Sequence, residues 1–459
     1  MPPISLLLLP AASAAGGNIG ANMPVWAVAP FVLLLLSIAV LPLVAHHWWE
    51  SNRNRALVSF SLGIPFGIWV LVTFGRDGWA VLEHILLDYL SFIVLLGALY
   101  VIAGGIFVRG SLAGTPLSNT AMLAVGALLA NLVGTTGASM VLIRPLLRAI
   151  RTRRQRAHVV IFFIFVVSNC GGLLTPFADP PLFLGFLKGI PFEWTLGLWK
   201  EWIVAVGVLL AVFLAVDNYV LDKEEKERPG SQLEEVMKHE PLGLSGAHNL
   251  VFLAAIVAVI LGRGNGWGNG GTPWPVGIQE ALMVAIALGS WFVTKPAVRE
   301  ANRFSFGPIN EVAILFFGIF VTMIAPLFLL AANGPKLGLS EPWQFFWATG
   351  LLSSFLDNAP TYLAFAATAA GRAGISPDGS RYLGEYLATG PAAAMFMTAV
   401  SCGAVFMGAM TYIGNGPNFM VKAIAESEGV KMPSFGGYML WSGAILVPIF
   451  VVITLVFFA

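Results

Sequence analysis

Thr175-Pro-Phe-Ala-Asp179-Pro-Pro181 and Thr411-Tyr-Ile-Gly-Asn415-Gly-Pro417 share one spacing: a Thr, an Asp or Asn four residues on, and a Pro two further. Both interrupt apolar runs long enough to cross a bilayer. Pro removes a backbone donor and Gly relaxes the backbone, so a helix carrying either cluster unwinds there. Unwound backbone at membrane depth survives only where it lines a cavity or is packed in protein. A pair of such interruptions in corresponding halves of a chain points to the binding site of a secondary transporter.

Composition sets the surroundings. Charged residues make up 11% of the chain and apolar ones 57%, whereas a soluble domain carries about 25% charge. The sequence therefore predicts an all-α polytopic membrane protein whose first partner is the lipid bilayer. A net charge of +1 selects neither nucleic acid nor anionic lipid by bulk charge. Cys170 and Cys402 each precede one of the interrupted segments, which speaks for packing against a neighbouring helix and against a disulfide framework. Residues 1–24 form an N-terminal segment. It contains an Ala-Ser-Ala-Ala stretch, but no basic residue precedes its apolar run, so cleavage as a signal peptide is not expected.

A spanning helix needs about 20 apolar residues. Spans are expected at 25–44, 56–74, 89–108, 199–216, 249–261, 281–293, 309–332 and 438–458, with interrupted helices at 157–187 and 388–424. The cluster Arg144, Arg148, Arg151, Arg153, Arg154 and Arg156 fixes the cytoplasmic side. Two apolar stretches are left over, 114–147 and 342–370, each split by polar residues: Asn131-Leu-Val-Gly-Thr-Thr-Gly137 and Ser353-Ser-Phe-Leu-Asp-Asn-Ala-Pro-Thr361. A full crossing of the first would put Arg109 and the arginine cluster on opposite sides. Both stretches therefore read as re-entrant hairpins. The chain then divides into two inverted repeats, 25–217 and 248–459, each of five spans and one hairpin, with a charged cytoplasmic linker at 218–247.

Two hairpins meeting two broken helices in inverted five-span halves resembles the ion transporter superfamily. That superfamily holds divalent-anion/sodium symporters, citrate carriers, arsenite pumps and NhaD-type sodium/proton antiporters. Gly134-Thr-Thr-Gly-Ala-Ser139, Ser168-Asn-Cys-Gly-Gly172 with Thr175 to Pro181, Phe355-Leu-Asp-Asn-Ala-Pro-Thr361 and Tyr412-Ile-Gly-Asn-Gly-Pro-Asn418 look like its NhaD-like and citrate-transporter branch. The resemblance runs from about residue 25 onward and implies a homodimer in the inner (plasma) membrane of a bacterium. It also implies a scaffold, a moving part and elevator-like alternating access. The anion carriers of the superfamily hold a carboxylate with Ser-Asn-Thr triplets at both hairpin tips. This chain departs from that pattern, reading Gly134-Thr135-Thr136 and Asp357-Asn358-Ala359.

Helix breaks at mid-membrane aim N-terminal amides at anions and C-terminal carbonyls at cations. Around them the sequence places Asn131, Thr135, Thr136, Asn169, Thr175, Asp179, Asp357, Asn358, Thr361, Thr411, Asn415 and Asn418. These are hard oxygen donors suited to sodium or lithium and not to a soft transition metal. Asp179 and Asp357 are the expected sodium ligands, since a charge at membrane depth costs roughly 2.5 to 3.5 kcal/mol and is kept for function. Without a cation, a buried carboxyl group favours its neutral form. Asp357, at a hairpin tip, is expected to face the substrate directly, with Asp179 acting beside it; the alternative for each is a helix cap.

Competition between proton and sodium for one carboxylate suffices for antiport, so a sodium (lithium)/proton antiporter is the expected function. Proton- or sodium-coupled carriage of citrate or another carboxylate is the alternative, followed by arsenite-type efflux. Asp88 and Glu311 are expected at the membrane interface, and Arg144 is expected to reach back to water. There is no Walker A pattern, nucleophile elbow or zinc-binding spacing. The chain is therefore not read as an enzyme, and no cofactor is expected beyond the transported or coupling ions.

Overall fold

The computed structural model describes residues 19–20, 22–49, 51–111, 113–227, 230, 240–270, 274–377 and 379–459. Most of the N-terminal segment, position 112 and the middle of the linker lie outside the described residues. Among the described residues, six helices are long and apolar enough to cross a membrane, or seven if one bent pair counts as a span. The chain is an all-α polytopic membrane protein.

The first half begins with α1 (Ala29–Val44) and α2 (Asn52–Ala103). α2 is two arms, because Gly75 turns the chain at φ 57° and ψ −120°. A Cβ added at Gly67 would lie 3.9 Å from Leu82, fifteen residues on, so the arms lie side by side. α3 (Pro116–Ala149) is likewise broken at Gly134, with φ 79° and ψ 156°. A Cβ at Gly126 would meet Leu142 at 3.2 Å, where a straight helix would separate those residues by about 24 Å. α3 is thus a helical hairpin. The first interrupted segment follows as α4 (Ala157–Phe165), a π-helical turn (Val166–Cys170), an irregular loop and α5 (Pro180–Leu187). The long α6 (Trp199–Glu227) ends this half.

A second hairpin and a second interrupted segment follow later in the chain. α7 (Asn249–Asn265) and α8 (Ile278–Val293) are followed by α9 (Gly307–Thr322) and α10 (Ile324–Asn333), which meet at 42°. α11 (Pro342–Ser353) and α12 (Asn358–Arg372) form a second hairpin, in which Phe345 and Phe365 pack edge to face at 6.5 Å. The second interrupted segment runs from α13 (Pro391–Met407) to α14 (Gly416–Ser427), and α15 (Phe435–Ile453) is the last long helix. Both free cysteines are buried.

α1, α2, α8 and α9 pack together as one body. Between apolar helices in lipid the hydrophobic drive is absent, and small residues that let backbones approach take its place. A Cβ at Gly63 of α2 would lie 3.3 Å from the Gly318 Cα of α9. The hairpins, the broken helices and α10 form a second body, in which α12 packs on α5 and α14 on α3.

Two features differ from the sequence reading. The third expected span, 89–108, begins and ends earlier: the tight turn at Gly75 lets helix resume at once, so Arg76, Asp77, Glu83, His84 and Asp88 ride on the second arm of α2, which ends at Ala103. The following residues form β1 (Phe107–Ser111), paired antiparallel with β2 (Glu240–Ser245), Phe107 opposite Ser245. This two-stranded ribbon ties the expected linker to the first half.

Candidate functional site

The two interrupted segments, 175–181 and 411–417, share their backbone conformation at the residue before each second helix. Asp179 has φ −146° and ψ 145°, Asn415 φ −151° and ψ 140°. Each stands immediately before a short helix with Pro in its first turn, where the missing N–H costs nothing. Neither side chain caps the helix it precedes, so both are free to reach elsewhere.

Both reach the same place. The Asp179 carboxylate is 1% exposed. Its Oδ1 accepts from the Thr135 hydroxyl at 3.0 Å and the Asn415 amide at 3.1 Å, and its Oδ2 accepts from the Asn358 amide at 2.5 Å. Thr135 follows the break at Gly134, and Asn358 follows Asp357 at the second hairpin tip. The four helical segments that start at Thr135, Pro180, Asn358 and Gly416 therefore begin within one hydrogen-bond shell of Asp179. Their N-terminal ends supply partial positive charge to that point. The side-chain oxygen of Asn358 is buried there without a donor.

Most of the other expected ion ligands serve the backbone. The Thr175 hydroxyl donates to the Asn131 carbonyl at 2.7 Å, and the Thr411 hydroxyl donates to the Ser354 carbonyl. Each acceptor lies three residues before its hairpin break, Gly134 or Asp357, so the two threonines hold equivalent points. Asn131 donates to Gly171 O at 2.7 Å and accepts from Leu174 N at 2.7 Å. Asn418 donates to Gly408 O and Thr411 O at 2.8 and 2.9 Å. Asn169 donates to Ile164 O at 2.8 Å and to Asn418 Oδ1 at 2.7 Å, linking the two broken helices. Thr361 donates to Asp357 O at 3.0 Å. These bonds satisfy carbonyls and amides that the breaks release, which would otherwise each cost a lost hydrogen bond in the interior.

Ten of the twelve expected site residues thus fall into two groups. Thr135, Asp179, Asn358 and Asn415 meet at the centre, while Asn131, Asn169, Thr175, Thr361, Thr411 and Asn418 clamp the broken backbone. Thr136 lines a narrow cleft beside the first hairpin tip, between Phe177 and Ala178 on one side and Leu96, Tyr100, Ile309 and Val312 of the other body. Asp357 caps α12, its Oδ1 accepting from Ala359 N at 3.0 Å. Asp179 is the carboxylate on which the side chains of both hairpin tips and of Asn415 converge.

Residues 20–458 match the model of a family described as "Putative citrate transport". The chain belongs to this family. The family stands within the ion transporter superfamily, which makes the chain an integral membrane transport protein of the secondary-transporter kind. No curated protein matches the chain.

Other polar residues of this family member, which sequence reasoning did not connect, lie away from the centre. Asp217 of α6, fully buried, accepts from Arg153 at 2.6 Å, Asn119 at 3.0 Å and pairs with His158 at 2.8 Å, closing both ends of the first hairpin onto α6. Asp88, expected alone at an interface, forms an ion pair with Lys188 just beyond α5. Arg144 donates to the Asn302 carbonyl at 2.9 Å, and Glu311 pairs with Arg55 at 3.1 Å. Ser139 and Ser168 share a buried hydrogen bond of 2.9 Å behind the first hairpin tip. Separations of dozens to hundreds of residues leave no periodic signal for such pairs.

Proposed function

We propose that the chain carries a small carboxylate, citrate first, across the membrane, driven by protons or sodium, and that Asp179 couples the two. The observation that carries this reading is the shell around Asp179: three neutral side chains at the N-terminal ends of helices donate to one internal carboxylate, the Asn415 amide also reaching the Ser168 carbonyl at 3.1 Å and Asn169 Oδ1 at 3.2 Å. Such ends favour anions. When a proton or cation neutralises Asp179, the donors of Thr135, Asn358 and Asn415 become free for a carboxylate of the substrate. Cation binding then favours substrate binding and the reverse, as linkage requires.

Sodium (lithium)/proton antiport is the second reading, favoured by the unpartnered Asn358 oxygen and by the neutral side chains that meet Asp179. Against it, the carbonyls and hydroxyls of the clamp are already engaged. Uptake of labelled citrate into proteoliposomes under proton or sodium gradients separates the two. Gradient-dependent uptake is expected; proton release driven by sodium or lithium without citrate uptake would establish antiport instead.

In this reading the hairpins re-enter the membrane from opposite sides within two inverted repeats, in a homodimer of the bacterial inner (plasma) membrane. The body of hairpins and broken helices moves past that of α1, α2, α8 and α9, and the cleft at Thr136 is the access route. Single cysteines replacing Leu117 and Arg151, at opposite ends of the first hairpin, are expected to label from the same cytoplasmic side. Labelling from opposite sides removes the re-entrant arrangement.

A further inference from the structure

A second concavity, of about 900 Å³, lies at the start of α4, where α6 and α15 run side by side. Arg154, Arg156 and His158 line it from one segment, Lys431 from the turn after α14, Val220 from α6 and Trp441 from α15. Among the described residues, no Asp or Glu contributes to its wall. Of the nearby carboxylates, Asp217 pairs with Arg153 and with His158 of the wall, and buried Glu224 accepts from the Arg154 backbone N–H at 3.0 Å, leaving the Arg154 guanidinium outside that bond; Glu426 pairs with Lys422 and Glu428 with Arg303. Arg156 is tied to the Gly429 carbonyl at 2.8 Å, which fixes one cation at the mouth, while Arg154 and Lys431 are exposed.

Its level in the membrane follows from the two helices that flank it. Val220 lies one turn beyond the apolar part of α6, and Trp441 lies in the second turn of α15, 36% exposed. An aromatic ring of this kind sits at headgroup depth. A basic pocket between helices at the cytoplasmic surface is suited to an anionic headgroup whose acyl chains run down the groove between them.

We propose that this pocket binds the phosphate of an anionic phospholipid, with Arg154, Arg156 and Lys431 as its cations and Trp441 against the glycerol region. The positive-inside bias alone would also gather basic residues on this face, so the test compares pocket cations with equally exposed ones elsewhere. Delipidated full-length protein in neutral detergent is titrated with cardiolipin, phosphatidylglycerol, phosphatidylcholine or inorganic phosphate, and lipid binding is read by native mass spectrometry and melting temperature. Anionic lipid is expected to bind and raise the melting temperature, whereas phosphatidylcholine and inorganic phosphate do neither. In the double variant Arg154→Gln/Lys431→Gln the half-saturating lipid concentration is expected to rise roughly tenfold to thirtyfold, two cations each contributing about 1 kcal/mol. Arg53→Gln/Lys295→Gln, which removes the same charge from other exposed positions, is expected to leave it unchanged. Equal losses in both double variants, or stabilisation by inorganic phosphate alone, would overturn the proposal.

Discussion

The side-chain amide of Asn358 meets the carboxylate of Asp179 at 2.5 Å, across 179 residues of sequence. This bond joins the tip of the second hairpin to the broken helix of the first half. Thr135 joins the other hairpin tip to the same carboxylate, and Asn415 joins the other broken helix. One acidic side chain therefore joins both hairpin tips and both broken helices.

Thr175→Val and Thr411→Val keep shape and remove the hydroxyls that hold the Asn131 and Ser354 carbonyls. Each leaves a buried acceptor without a donor, at about 1 to 3 kcal/mol. Both variants are expected to melt earlier than the parent in detergent, Thr411→Val by more, because its hydroxyl also accepts from Ile413 N at 3.3 Å and Gly414 N at 3.1 Å. A drop confined to one of them would show that the two halves are not supported alike.

Gly134→Ala places a side chain at a φ of 79°, with its Cβ 3.2 Å from the Phe177 carbonyl. The left-handed conformation alone costs a residue other than glycine about 1 to 2 kcal/mol. Gly75→Ala, at φ 57° with nothing within 4 Å, carries the conformational cost without the contact. Transport is expected to fall in the Gly134 variant and to persist in the Gly75 variant, although both lose stability. Equal transport in the two would detach the first hairpin tip from function.

The Asp88–Lys188 pair crosses from α2 to the end of α5, between the two bodies. If one body slides past the other, the pair must break in each cycle. Cysteines replacing both residues, bridged by a cleavable bifunctional thiol reagent, are expected to stop transport, and cleavage of the bridge should restore it. Full transport in the bridged protein would rule out relative movement at this point.

The breaks at Gly134, 171–179, Asp357 and 411–415 were legible in the sequence because Pro, Gly and Asn cannot continue a helix in an apolar run. The residues gathered at those breaks were legible for the same reason. Their division into clamp and centre was not, because Thr175 and Thr135 look alike until the fold decides which carbonyl or carboxylate lies opposite. The same holds for the aspartates: position at a hairpin tip suggested Asp357, but a residue directly before a helix is also a cap, and here Asp357 takes that role. The ribbon of β1 and β2 went unseen because its strands are short and 130 residues apart, with no alternation to mark them.

The central claim is that Asp179 exchanges its three donors between its own charge and a substrate carboxylate. Asp179→Asn, reconstituted in proteoliposomes, tests it by two readings on one sample: gradient-driven accumulation of labelled citrate, and exchange of citrate across the membrane without a gradient. The account predicts that accumulation is lost while exchange persists, because a permanently neutral residue can release the donors but cannot carry the coupling ion. Gradient-driven accumulation at the parent level in Asp179→Asn would contradict it.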